Sequence, residues 1–253
     1  MATIELLGSS NTLADAEHDS VYMLVSTSNG DILIDCAGSP VQRLAKAGTD
    51  ITRLERVILT HDHADHIYGI PILIQAMMLY NWNGTWDKPL TVAGLESTLN
   101  TVRGLIAQFE LTDQVQVEYQ EIPPQSNYLV YENDEIRILT TPVQHSRPTI
   151  GVRVENKRTN SAVVYSSDTS PCEAVKELAR GAAVLIHEAN SLEEFEGHST
   201  PRQAAEIALE AGAARLVLVH YDPQDELDIF LEEAKNQFQR PVEMGYDGMK
   251  IEF

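Results

Sequence analysis

The sequence predicts an α/β (α+β) domain in which two β-sheets pack face to face with helices on the outside. Three observations lead there. Short apolar runs rich in β-branched residues recur along all 253 residues and read as buried strands. The runs fall into two successive groups, each with helical segments of its own, which is the pattern of two helix-covered layers. No linker separates the groups, so residues 1–253 are expected to form one large domain.

Residues 4–7, 21–25 and 32–34 open the chain as strands, and Ser28-Asn29-Gly30-Asp31 reads as a hairpin turn between the second and third. Asp35 ends the third strand, where a carboxylate either orients a metal-binding histidine or caps a turn. Residues 40–47 form a short helix closed by Gly48. The apolar 57–59 run is the next strand, and 72–79 a helix with Pro71 tolerated in its first turn. Tyr80-Asn81-Trp82-Asn83-Gly84-Thr85-Trp86 reads as an aromatic-rich loop that lines a pocket, closes as a lid or packs on the core. Strands follow at 90–93, 115–121, 128–131 and 136–139, with a helix over 95–109. The second group has a strand pair at 149–155 and 161–166, a helix over 173–179, strands at 184–186 and 216–219, helices at 201–211 and 225–238, and a closing strand at 249–253.

Composition narrows the function. With 38 acidic against 18 basic side chains and a formal charge of −20, the surface repels a polyphosphate backbone, which argues against a long nucleic acid as partner. The same charge serves solubility. Two cysteines, Cys36 and Cys172, are too few for a disulfide scaffold, so a reducing, cytoplasmic setting is expected. The first residues read as a strand and not as a signal peptide, and no apolar run reaches the roughly 20 residues that cross a bilayer.

The chemistry concentrates after residue 59. His61-Asp62-His63-Ala64-Asp65-His66 puts three imidazoles and two carboxylates into six positions between a buried strand and a helix. Neutral imidazole and carboxylate are the donors that borderline divalent cations take. His61 and His63, two apart, leave an extended segment on the same face and can grip one ion. Asp65 and His66, at the turn into the helix, can serve a second position. His145, Asp168 and His220 each follow a buried strand. Singly, either histidine reads as an ordinary hydrogen-bonded side chain, but one end of a sheet structure can bring all three to the early cluster.

The His-x-His-x-Asp-His stretch followed by an isolated His, an Asp and a late His resembles the metallo-β-lactamase superfamily over nearly the whole chain. Within it the chain is most similar to ribonuclease Z and its phosphodiesterase relatives. Tyr165-Ser166-Ser167-Asp168-Thr169, His187-Glu188-Ala189, Gly197-His198-Ser199-Thr200-Pro201 with Gln203-Ala204-Ala205, and Val219-His220-Tyr221 carry that likeness. The resemblance implies a four-layered αββα sandwich with two divalent metal ions at the sheet edge, zinc favoured and Mn²⁺ or Fe²⁺ open. It assigns His61, His63 and His145 to one ion, Asp65, His66 and His220 to the other, and Asp168 to both. Asp65 is also expected to position the attacking water or to accept its proton. The resemblance makes His198 the proton donor to the leaving oxygen, with Glu188 fixing its tautomer and raising its pKa. The alternative for His198 is a cap on the helix that begins there. His18 and His187 are assigned no role.

The expected activity is hydrolysis of a small or short phosphodiester. Family members that process transfer RNA carry a basic, Gly-rich arm, whereas only twenty-two residues separate His145 from Asp168. Ser167 stands where the motif commonly has Gly. Transfer-RNA 3′-end cleavage is the first alternative, with a homodimer partner supplying the basic surface. A sulfate-ester, lactone or thioester hydrolase is a second alternative. From other classes come a di-iron redox protein, which would place a carboxylate at His63 and add a flavin domain, and a binding protein without catalysis.

Overall fold

The computed structural model describes residues 2–253. The first layer of strands comprises β1 (Thr3–Gly8), β2 (Tyr22–Ser26), β3 (Asp31–Ile34), β4 (Leu54–Ile58), β5 (Leu90–Gly94) and β6 (Val117–Glu121), with helices α1 (Pro40–Lys46), α2 (Ala64–Ile67), α3 (Ile70–Trp82) and α4 (Glu96–Gln108) between them. The second comprises β7 (Tyr128–Glu132), β8 (Ile136–Val143), β9 (Thr149–Asn156), β10 (Ala162–Tyr165), β11 (Val184–Glu188), β12 (Leu216–Val219) and β13 (Val242–Met244), with α5 (Glu173–Leu178), α6 (Pro201–Ala211) and α7 (Leu227–Gln237). β14 (Lys250–Glu252) returns to pair antiparallel with β1. The result is two seven-stranded sheets, ordered β14-β1-β2-β3-β4-β5-β6 and β13-β12-β11-β10-β9-β8-β7.

Three apolar layers hold this sandwich, as the strand patterning demands. Ile4, Leu6, Met23, Ile34, Ile138, Val152, Tyr165 and Val217 fill the space between the sheets. Leu33, Leu44, Leu73, Ile74, Met77, Leu99 and Val102 join the outer face of the first sheet to its helices. Val164, Leu185, Ala204, Ala208 and Phe230 do the same for the second. Strands buried on both faces are therefore continuous apolar runs rather than alternating ones. β12 is Leu-Val-Leu-Val, with all four residues buried.

Two expectations need correction. Tyr80 and Trp82 belong to the last turn of α3 and not to a loop: helical hydrogen bonding carries on beyond the helix's last buried residue, Met78, to the Asn83 amide on the Leu79 carbonyl. Of the two tryptophans, Trp86 is buried in the core while Trp82 is exposed. The three-residue strand β13, after Pro241, was not expected at all. It is too short to leave a periodic signature and exists because β12 offers it a parallel edge.

Parallel pairings β3–β4–β5 and β10–β11–β12 send their carboxyl ends the same way within each sheet. That geometry collects the polar residues that follow these strands.

Candidate metal centre

Each sheet delivers its polar residues at strand ends, and the backbone bends sharply to do so. Asp35 directly follows β3 at φ 62°, and His220 directly follows β12 at φ 60°. Ser167, after β10, takes φ 56°. Left-handed conformations are costly for residues with a Cβ and persist where tertiary contacts enforce them, often at functional sites. The Ser167 torsion also explains why a glycine suits that position in related motifs.

From the first sheet, the segment after β4 supplies His61 and His63, and α2 supplies Asp65 and His66. Asp35 settles into the first of its two readings. Its Oδ2 accepts from His66 Nδ1 at 2.8 Å and from Thr60 Oγ1 at 2.9 Å, and its Oδ1 accepts from the Thr60 amide at 2.8 Å. This leaves His66 Nε2 for the cleft. The Cys36 amide donates to the His66 carbonyl and the Gly69 amide to the Cys36 carbonyl, both within 2.9 Å. A Cβ on Gly69 would lie 2.7 Å from the Ala37 carbonyl oxygen, so only glycine allows this approach of the two loops.

From the second sheet come His145 after β8, Asp168 after β10 and His220. His145 Nδ1 donates to the Gly197 carbonyl at 2.7 Å, which turns Nε2 inward to 3.1 Å from His63 Nδ1. His61 Nε2 lies 3.1 Å from the same His63 nitrogen. Asp168 sits in the middle: Oδ2 is 3.3 Å from His220 Nε2, 3.7 Å from His61 Nε2 and 3.9 Å from His145 Nε2, while Oδ1 is 3.5 Å from His66 Nε2. Asp65 Oδ2 lies 3.6 Å from His220 Nε2 and 3.9 Å from His66 Nε2. All seven expected residues meet here. Donor atoms of His61, His63, His145 and Asp168 fall within 4.8 Å of one another, as do those of Asp65, His66 and His220. Asp62, the other carboxylate of the stretch, turns away and accepts from Thr101 Oγ1.

His66 Nε2, Asp168 Oδ1 and His220 Nε2 are buried without a hydrogen-bond partner. Leaving such atoms unpaired is costly, and their convergence fits a divalent cation whose borderline character suits imidazole and carboxylate donors. The electrostatics agree. Burial raises the pKa of Asp168, but the His220 and His66 charges overcome it and hold the carboxyl well below its ordinary range. Burial likewise opposes ionisation of Asp65, yet His220 and His66 keep its pKa low. Burial and the nearby His66 push the His61 pKa down, towards the neutral form that ligates.

His198 stands beside this cluster, with its Nδ1 3.0 Å from Glu188 Oε1. Glu188 is fully buried and also accepts from the amides of Thr169 at 3.0 Å and Asn190 at 3.1 Å, which fixes its orientation. His198 is not the helix cap: α6 is capped by Thr200, whose side chain pairs with Gln203 in a capping box. The expected rise in the His198 pKa is not found. Burial lowers it, with the Asp168 and Asp65 charges only partly offsetting. Burial and the Asp168 charge also push the Glu188 carboxyl up.

Sequence reading missed Thr12, whose hydroxyl donates to Asp65 Oδ2 at 2.7 Å from the β1–β2 loop. Its only signal was a small polar stretch, Gly8-Ser9-Ser10-Asn11, after a strand. Thr12, Asn11 and Asn190 line the cleft above the cluster together with Ala64 and His198. His18 pairs with Asp15 at 3.0 Å, away from the cluster. His187 is buried on β11, its Nδ1 donating to the Glu188 carbonyl at 2.7 Å.

His187 yields a stability prediction. Burial depresses its pKa to about 4, from an ordinary value near 6.5. Below about pH 6.5 the unfolded chain takes up a proton that the folded chain refuses. Its contribution is thus intact above pH 6.5 and falls by about 3 kcal/mol as the pH drops to about 4. Urea midpoints measured from pH 7 to 4.5 should fall less steeply in His187→Gln than in the wild type; parallel profiles would exclude this histidine as a source of acid lability.

Two helix-flanked sheets that carry a His/Asp cluster at their strand ends define the class: an α/β sandwich with a candidate metal centre at the sheet edge. A family model for the Beta-lactamase superfamily domain matches residues 31–221. Ribonuclease Z of Mycobacterium sp. (strain KMS) is 31% identical over 284 residues, covering 100% of this chain and 96% of that protein. Ribonuclease Z of Mycolicibacterium gilvum is 29% identical, with the same coverage. Among solved structures, the metallo-beta-lactamase fold protein YhfI from Bacillus subtilis superposes with a TM-score of 0.88 at 23% identity, covering 100% of this chain and 99% of that one. The short form of human tRNase Z superposes at 0.79 and 20% identity, covering 99% and 98%. The chain belongs to the metallo-β-lactamase superfamily, in its ribonuclease Z-like branch.

Proposed function

We propose that the protein hydrolyses small or short phosphodiesters with two divalent cations, zinc favoured, and Mn²⁺ or Fe²⁺ accepted by the same donors. The observation that carries the reading is the set of orphaned buried atoms of His66, Asp168 and His220, facing one another beside the His198–Glu188 pair. His61, His63 and His145 would hold one cation and Asp65, His66 and His220 another, with Asp168 placed to serve either. Cations bound there would supply Lewis acidity and would activate water for attack.

The chain's own groups do the rest. Asp35 and Thr60 lock the His66 ring, and the Gly197 carbonyl locks His145. Thr12 holds Asp65, which positions the attacking water. Glu188 accepts a hydrogen bond from the Nδ1–H of His198, so in the imidazolium form the Nε2 proton is the one free to pass to the leaving oxygen, leaving the ring neutral. Asp35→Asn should weaken metal affinity about 10–100-fold in a chelator competition, because His66 loses its carboxylate partner. Unchanged affinity would remove Asp35 from the site's support.

The joint between β9 and β10 supports a small substrate. Asn156 and Ser161 close it with a backbone hydrogen bond of 2.8 Å, leaving no room for an RNA-clamping arm. The formal charge of −20 points the same way. Transfer-RNA processing remains the second reading, favoured by the relatives' name alone. Purified, metal-quantified protein should be assayed against aryl and cyclic phosphodiesters, a sulfate ester, a lactone and a precursor transfer RNA. Turnover confined to the small phosphodiesters is expected. Release of the 3′ trailer would replace this reading with the second, and turnover of only the sulfate ester or lactone would overturn both.

A further inference from the structure

Beside the metal centre lies an apolar groove that the hydrolytic reading leaves without a task. It runs between α3 and α4, encloses ≈ 500 Å³, and is walled by Ile67, Tyr68, Pro71, Ile72, Leu105 and Phe109. The sequence produces it because α3 is apolar on more than its core face. Leu73, Ile74 and Met77 are buried against the sheet, yet Ile72 is 52% exposed. Across the groove, Phe109 at the end of α4 is 59% exposed, and Tyr68 at its near end 45%. Apolar surface gathered into a concavity of this size is the usual form of a small-molecule subsite.

The groove adjoins the reaction cleft. Ala64 lines both, at the start of α2, whose Asp65 and His66 face the metal centre while Ile67 faces the groove. At the junction, Arg147 Nε lies 3.9 Å from Asp62 Oδ1, and Thr101 Oγ1 donates to Asp62 Oδ2 at 3.0 Å. Asp62 is the one charged residue among the lining. Beyond this polar neck the walls offer few groups to read a base or sugar by hydrogen bonds, and much surface for an alkyl or aryl group.

We propose that the groove binds an apolar ester group of the substrate, laid over Ala64 from the metal centre, so that the enzyme prefers phosphodiesters with one alkyl or aryl arm. The proposal rests on the phosphodiesterase reading above and narrows its substrate class. Burial of each methylene along the walls should raise kcat/KM about three- to fourfold until the groove is filled.

The test is a series of p-nitrophenyl phosphodiesters whose second ester group is methyl, butyl, octyl or phenyl, assayed with the metal-loaded protein. A rise from methyl to butyl of at least about tenfold is expected. In Ile72→Asp/Phe109→Ser, whose side chains are more than half exposed in the wild type, the octyl-to-methyl ratio should fall towards one. A flat wild-type series, or a ratio unmoved by the double variant, overturns the proposal. A phenyl preference without an alkyl one would assign the groove to aryl arms and keep it. Should no diester be hydrolysed, the phosphodiesterase reading fails separately, and calorimetric binding of octylphosphonate against methylphosphonate still reads the groove. Octyl preference lost in the double variant would then support the subsite, and equal binding would refute it. Sedimentation supplies the last arm: a wild-type dimer made monomeric by the variant with an unaltered chain-length series would give the groove to a second copy and overturn the proposal.

Discussion

Asp168→Ala is expected to lose nearly all bound metal and at least about 10³-fold in turnover. Its carboxylate is the side chain within 3.9 Å of four imidazoles, those of His61, His66, His145 and His220. Removing it takes away the negative charge that holds these rings together, and no neighbouring acid reaches both donor sets. The seven residues come from both sheets, so the fold itself should survive. Metal content by mass spectrometry, with an unchanged far-ultraviolet circular dichroism spectrum, checks this. A variant that keeps both metal equivalents and most of its turnover would refute the bridging role.

His198→Ala is expected to keep its metal and lose about 10²–10⁴-fold in turnover of alkyl-leaving diesters. The imidazole lines the cleft and is tied to Glu188; a nitrogen of it also lies within 4.8 Å of Asp168 and His220 donor atoms, but both donor sets are complete without it. The defect should shrink sharply for a p-nitrophenyl leaving group, which departs without a proton. An equal loss for both leaving groups, or loss of metal, would show that the residue holds the site together instead of donating a proton.

The dense segment from His61 to His66 was legible because six adjacent positions of ligand chemistry have no other economical explanation. The strand-end placement of His145, Asp168 and His220 was legible as well, since short β-branched runs mark strands. What each does was less so. Asp35 could equally have capped a turn; the choice depended on where His66 lies, 31 residues away. Thr12 carried no motif, and its bond to Asp65 arises only because the β1–β2 loop folds over the cleft. The direction of the His198 pKa shift escaped as well. Pairing with a carboxylate argues upward, and burial, which a sequence does not display, argues downward and prevails.

By itself, then, the sequence determined the layered α/β class and the ligand chemistry, because periodicity and residue type are local properties, while the branch came from the resemblance of its motifs to ribonuclease Z. Only the tertiary structure decided that β14 closes the first sheet, that Asp35 braces His66, and that α3 and α4 leave an apolar groove open beside the His/Asp cluster. These depend on which distant surfaces meet, and that is set by the packing of two sheets rather than by any run of neighbouring residues.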